Sequence, residues 1–209
     1  MLPFGPRATF RLTATTPSPV TYGEGISPKH TLNVHDLDGE GKEWTIEGSC
    51  SKVSIYNSKN LTLHLAGRIV TSTVELFNCS DLNLVIGPSP PPSNALDIAP
   101  LGVLQLDPTL SGVSVTYTHP QAVGKVVVAP APAGESFGFS SLSLQAGESE
   151  PFLLFDAEGR LRTSSVEEKT VSSSSRPADL PQQLVLSHGS DGWSAEGLKR
   201  NEKDYPSLS

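Results

Sequence analysis

The sequence predicts an all-β protein: a right-handed parallel β-helix with coils of roughly 21 residues, an irregular N-terminal segment and a C-terminal extension. Three observations predict it. First, the chain matches itself at an offset of 21, with Tyr56-Asn-Ser-Lys-Asn-Leu-Thr-Leu63 over Phe77-Asn-Cys-Ser-Asp-Leu-Asn-Leu84. Second, each copy holds two short runs in which apolar residues alternate with others, the period of a strand with one buried face. Third, the joints between those runs are polar and equivalent from copy to copy, and lack the Asn-Gly or Asp-Gly pair of a hairpin. One coil cannot bury its apolar face alone, so its neighbours must cover it. An antiparallel sandwich with a chance internal match is the alternative architecture.

The coils assign the chain in order. Residues 1–43 are expected to be an irregular N-terminal segment, with one strand at Thr9-Phe-Arg-Leu-Thr13. Residues 44–160 are the expected β-helix domain. Val53 and Ile55 pair with Val74 and Leu76; Leu61, Leu63 and Leu65 pair with Leu82, Leu84 and Ile86, pointing inward. A weaker third copy places Leu96 and Ile98, then Leu104 and Leu106, in the next coil. A fourth takes Val113, Val115, Val126 and Val128. Two outer columns follow: Thr62, Asn83 and Gln105 in one, Ser54, Glu75 and Asp97 in the other. The loop Gly87-Pro-Ser-Pro-Pro-Pro-Ser-Asn94 interrupts the stack, because proline cannot donate to a ladder. Strand patterning resumes at Phe137–Leu144 and Pro151–Phe155. Residues 161–209 are expected to be a Ser-rich linker and tail, with a last strand at Gln183–Ser187. Trp44 is expected to cap the first coil.

Composition narrows the function. Net charge is −7, which disfavours nucleic acid and anionic membrane surfaces and suits a basic protein partner or a small cation. No apolar run reaches the roughly 18 residues that span a bilayer. The first residues hold no basic stretch followed by an apolar core, so no secretory signal is expected and the cytoplasm is the expected compartment. Two cysteines, Cys50 and Cys79, are too few for a disulfide framework and are read as packed corner residues. The glycosylation sequons at Asn60-Leu-Thr62 and Asn78-Cys-Ser80 are expected to stay unmodified there.

Val34-His-Asp-Leu-Asp-Gly-Glu-Gly-Lys-Glu-Trp44, followed by Thr-Ile-Glu47, resembles the start of the C-terminal domain of cyclase-associated proteins. Ile55-Tyr56, Leu61-Thr-Leu-His-Leu-Ala-Gly67 and Asn78-Cys79 through Leu84 are similar to it as well. The stretch Ser72-Thr-Val-Glu-Leu-Phe-Asn-Cys-Ser-Asp81 looks closer to tubulin-binding cofactor C. Both belong to one superfamily of right-handed parallel β-helices, and the resemblance covers residues 34–106. The cyclase-associated branch implies binding of actin monomers, often as a homodimer. The cofactor C branch implies activation of GTP hydrolysis through the arginine of a Gln-x-Arg-x-His segment, a fixed cation against the transferring phosphoryl group. That position falls on Asp97, and no Gln-x-Arg-x-His occurs in the chain, so this activity is not expected.

The leading reading is therefore a cytoplasmic protein-binding module with an actin monomer as the favoured partner and no cofactor or metal. Its candidate binding residues are Lys59, Arg68, Glu75 and Asp97. A different class of reading puts an enzyme or small-ligand site in a groove of the solenoid, using Glu75, Asp97 and His64. Adjacent carboxylates raise each other's proton affinity and suit acid–base work, although an exposed acidic patch is the plainer account. His35-Asp36-Leu37-Asp38 offers a histidine and two carboxylates but no second cluster at ligand spacing, so it reads as a solvated loop. No Gly-x-Ser-x-Gly elbow and no phosphate-binding glycine loop is present. Self-association through an open solenoid end is a third reading.

Overall fold

The computed structural model describes residues 8–21, 25–71, 73–88, 100–107, 109–128, 142–153 and 184–197. Thr9–Arg11 (β1) opens an eight-stranded sheet. Five pairs of strands then alternate between that sheet and a six-stranded one: Thr31–His35 (β2) and Asp38–Ile46 (β3), Lys52–Tyr56 (β4) and Lys59–Leu65 (β5), Thr73–Phe77 (β6) and Ser80–Ile86 (β7), Val103–Leu106 (β8) and Ser114–Tyr117 (β9), Lys125–Val128 (β10) and Ser143–Ala146 (β11). Each pair is one coil. Neighbouring coils pair in parallel in both sheets, so the expected β-solenoid is present, with about five turns. Among the described residues the one helical piece is a 3-10 turn at Pro120–Ala122.

The core is a set of columns running up the stack. Leu32, Val53, Val74, Leu104 and Val126 form one on the eight-stranded sheet. Trp44, Leu63, Leu84, Val115 and Leu144 form one on the six-stranded sheet. All ten are buried, and they exclude water only because the coil above covers the coil below.

The corners between the sheets explain the Asn-rich joints. Asp36, Asn57 and Asn78 turn the chain out of the eight-stranded sheet at φ 55°, 48° and 50°; Asn60 and Asp81 turn it into the six-stranded sheet at 54° and 49°. Left-handed backbone costs other side chains about 1–2 kcal/mol, and Asn and Asp tolerate it best after glycine. Stacking lets the amides bond along the column: Asn78 Nδ2 donates to Asn57 Oδ1 at 2.7 Å, and Asn57 Nδ2 to Asp36 Oδ1 at 3.0 Å. Asn60 Nδ2 donates to Asp38 Oδ1 at 3.1 Å, so both sequon amides hold structural bonds.

Inside the same corner, Leu37, Ser58, Cys79 and Leu110 are buried. Ser58 Oγ accepts from the Leu37 N–H at 3.3 Å and lies 2.7 Å from the Tyr56 carbonyl and 3.0 Å from that of Val34. Cys79 Sγ meets the equivalent carbonyls, Phe77 at 3.2 Å and Ile55 at 3.7 Å. The corner reading of Cys79 thus has a specific form, a thiol in a hydroxyl's place. Ser58→Ala strands a buried N–H and two carbonyl contacts, and urea unfolding should record a loss of about 1–3 kcal/mol. Cys79→Ser should stay within about 1 kcal/mol of the parent in the same measurement, because one coil below a hydroxyl already occupies that site.

Four expectations need correction. The ladder starts well before residue 44, since β1, β2 and most of β3 belong to it. It was hidden because β3 bulges between Asp38 and Lys42, which brings Trp44 opposite Leu63 at an offset of 19 rather than 21. Second, the third coil was misphased. Val74 pairs with Leu104 at an offset of 30, so Gln105 follows Glu75 and Ser114 follows Asn83. The longer connection between β7 and β8 put the 21-residue count out of step. Third, Trp44 ends its core column as the expected cap would, but it is not the outermost layer. It is 2% exposed within β3, and residues 12–20 cover that end of the stack: Val20 bridges to Ile46, and the Trp44 indole donates to the Thr16 carbonyl at 3.0 Å. Fourth, the strands expected near 151–155 and 183–187 are present, but they pair antiparallel and are joined by a further strand that was not expected. Phe152–Leu153 (β12) pairs with β11; Leu184–Gly189 (β13) pairs with β10 and turns back into Gly192–Gly197 (β14). Trp193 of β14 packs against the core there, near Tyr117, Phe152 and His188. Leu96, Ile98, the loop 89–94 and the linker 163–181 lie outside the described residues.

Candidate functional site

Outward-facing side chains of a parallel stack also form columns. On the eight-stranded sheet one such column is His35, Tyr56 and Phe77. The Tyr56 and Phe77 rings stack at 4.8 Å and 21°, and His35 meets the Tyr56 ring edge at 5.2 Å. All three are half-buried. Asn33, Ser54, Glu75 and Gln105 run beside them. His35 Nε2 sits 3.3 Å from Ser54 Oγ, and Lys52 Nζ closes an ion pair of 2.6 Å with Glu75. Arg11, at the His35 end, bonds the His35 carbonyl at 3.4 Å and stands 4.0 Å from Asp36. At the Phe77 end stands Asp107, whose N–H donates to the Leu76 carbonyl at 3.2 Å. Burial first, then the carboxylates of Glu75 and Asp107, push the Tyr56 phenol above its ordinary value.

A second feature lies on the six-stranded sheet. The β3 bulge throws Glu40 and Gly41 outward as the wall of an open groove of about 480 Å³. Asn60, Thr62, Asp81, Asn83 and Ser114 line its floor, and Ser114 Oγ donates to Asn83 Oδ1 at 2.9 Å. This is a different groove from the one the sequence suggested, and neither Glu75 nor His64 lines it. Ser114 was missed for it because its place opposite Asn83 depends on the shifted register, and Asp81 because the groove exists only through the β3 bulge that sets Glu40 and Gly41 there.

The candidate residues do not converge. Glu75 faces out from the eight-stranded sheet in β6, paired with Lys52. His64 faces out from the other sheet in β5, its Nε2 2.8 Å from the Gly87 carbonyl. Asp97 lies outside the described residues, and the ladder place it was given beside Glu75 belongs to Gln105. Arg68 is exposed in the turn after β5, its carbonyl accepting from the Cys50 N–H at 3.1 Å. Lys59 starts β5 and pairs with Asp38 at 3.2 Å. The aromatic column escaped notice because His35 was read as part of a loop and Tyr56 and Phe77 only as repeat markers; their match at an offset of 21 was the available signal.

Asp38 is held by its corner. The Asn60 amide first, then the Glu40 N–H and the Lys59 ammonium, lower its carboxyl from the ordinary value of 3.8. A depressed folded-state pKa contributes stability above the unfolded value, and that contribution is lost as pH falls through the lower folded value. In an NMR titration, Asn60→Gly and Lys59→Met should each raise the Asp38 pKa. Glycine is chosen because it keeps the left-handed turn.

Burial pushes the Cys50 thiol up to about 11, and burial likewise raises that of Cys79. A thiol so shifted is a poor nucleophile near neutral pH. Among the described residues no group of three or more His, Cys, Asp or Glu is placed to hold a metal, and no helix is long and apolar enough to cross a membrane. Fold and site together define a parallel β-solenoid with a half-buried aromatic column on one outer sheet face. Comparison with known protein families, with curated proteins and with solved structures found no match in any of the three.

Proposed function

We propose that this chain is a cytoplasmic protein-binding module that docks its partner on the outer face of the eight-stranded sheet, with monomeric actin as the first partner to test. The observation that supports this reading is the His35, Tyr56 and Phe77 column. Aromatic residues, tyrosine above all, are enriched among the side chains that dominate interface energetics, and those side chains sit at the centre of a polar rim. Here Gln105 and the Lys52–Glu75 pair supply such a rim. The column is also preorganised, since each ring rides on a strand paired on both sides and a partner need not order it. Actin comes first because residues 34–106 resemble the cyclase-associated C-terminal domain.

The test is an anisotropy titration against labelled ADP-actin and ATP-actin monomers. Tyr56→Ala and Phe77→Ala should each weaken binding about tenfold, a loss of about 1.4 kcal/mol, while thermal unfolding confirms that the fold persists. No binding of the parent protein at tens of micromolar sinks the actin reading. Binding that neither variant weakens removes the docking face from it.

A further inference from the structure

The two ends of the aromatic column differ in charge. At the His35 end Arg11 stands near Asp36, while the Lys52–Glu75 pair lies along β4 and β6, with Glu75 two residues before Phe77, so each of these carboxylates has a cation. At the Phe77 end Asp107 makes no ion pair among the described residues. Its Oδ1 is occupied: it accepts from the Thr109 N–H at 2.8 Å, from the Thr109 hydroxyl and from the Asn78 N–H at 3.4 Å. Those bonds orient the carboxylate at the Phe77 end, and among the described residues none is made to Oδ2. Phe77 ends the ring stack there, because the next coil brings Asp107 and no fourth ring. An aromatic surface that ends on an oriented carboxylate with no ion pair among the described residues is chemically selective. It repels anions, and it offers a cation both a ring quadrupole and an opposite charge.

We propose that this end of the face receives an arginine side chain of the protein partner, its guanidinium packed on Phe77 where that ring ends the stack and paired with the Asp107 carboxylate. The partner as source of the arginine rests on the protein-binding reading; the guanidinium site itself rests on the geometry. Arginine fits better than lysine. Its planar, weakly hydrated head stacks on a ring while its N–H fork reaches a carboxylate, whereas a compact ammonium holds its water and cannot do both at once. The net charge of −7 draws in a basic segment, and Arg11 at the His35 end of the column disfavours its sitting the other way round.

The probe is Nα-acetyl-arginine methylamide, followed through the ring protons of Tyr56 and Phe77 by NMR, with the citrulline analogue as its uncharged isostere. Saturable shifts at both rings are expected in the millimolar range, the affinity of about 4 kcal/mol that one side chain can supply. Citrulline should bind at least tenfold more weakly. Asp107→Asn keeps the Oδ1 acceptor and removes the charge, so it should weaken arginine binding about tenfold at unchanged melting temperature. Phe77→Leu keeps apolar bulk and should weaken it as well. No saturable shift at tens of millimolar, equal binding of citrulline, or full binding by Asp107→Asn overturns the inference. Arginine probe bound without actin binding leaves this site standing and fails the actin reading. Actin binding that depends on Tyr56 but not on Asp107 does the reverse.

Discussion

Gly124→Ala is expected to destabilise the protein by about 3 kcal/mol or more, enough to unfold much of it if total stability lies in the usual range of about 5–15 kcal/mol. A Cβ at Gly124 would stand 1.2 Å from the Leu101 carbonyl oxygen and 2.4 Å from its carbon. Both are backbone atoms of the coil below, so no rotamer change relieves the clash. Nor can the coils move apart, because Leu101 N–H bonds the Ala122 carbonyl at 2.9 Å and Lys125 N–H bonds that of Gly102 at 3.1 Å. The glycine is thus a condition for stacking β10 on β8. Gly41→Ala is the control. Its φ of 79° costs about 1–2 kcal/mol, but nothing lies within 4 Å of the added carbon. Urea midpoints at constant slope measure both. Equal midpoints for Gly124→Ala and the parent would mean that the two coils do not meet at this spacing.

Trp44→Ala should cost about 3–5 kcal/mol, the range for deleting a large buried aromatic side chain. Trp44 is the end member of its core column, with Leu63 on one side and the chain of residues 12–20 outside it. Its loss opens a cavity where Leu12, Val20 and Ile26 close the stack. Trp44→Phe keeps most of the bulk and removes the bond to Thr16, so about 1 kcal/mol is expected for that part. Thermal unfolding separates the two variants. Hydrogen exchange should show the protection lost by Trp44→Ala first in β3, at the edge of the six-stranded sheet.

How far the site was legible follows from where the repeat keeps its period. From Val53 to Ile86 the 21-residue offset is unbroken, so inward and outward faces followed directly, and Tyr56 was correctly aligned with Phe77. The bulge in β3 and the longer connection before β8 each shift the count, so column partners beyond them were misassigned although Leu104, Leu106, Val113, Val115, Val126 and Val128 do face the core. Side chains two coils apart share a column only if every residue between them is counted correctly. That is why Glu75 was given Asp97 as a neighbour when its neighbour is Gln105. The hairpin of β13 and β14 had a local signal, since Ser190-Asp191-Gly192 is a turn sequence with Gly192 at φ 96°. It went unread beside the long Ser-rich stretch before it.

By itself the sequence determined the all-β class, the coil length and the polar left-handed corners. Each of these is a local or nearest-neighbour property: strand alternation, backbone preference, and one coil covering the next. Only the tertiary structure decided where the solenoid starts, what closes its two ends, and which outer side chains meet. Those depend on loop lengths summed along the chain, and a loop writes no period into the sequence. The aromatic column ending on Asp107 belongs to this second kind, since Phe77 and Asp107 are separated by 30 residues and joined only by the stacking of β8 on β6.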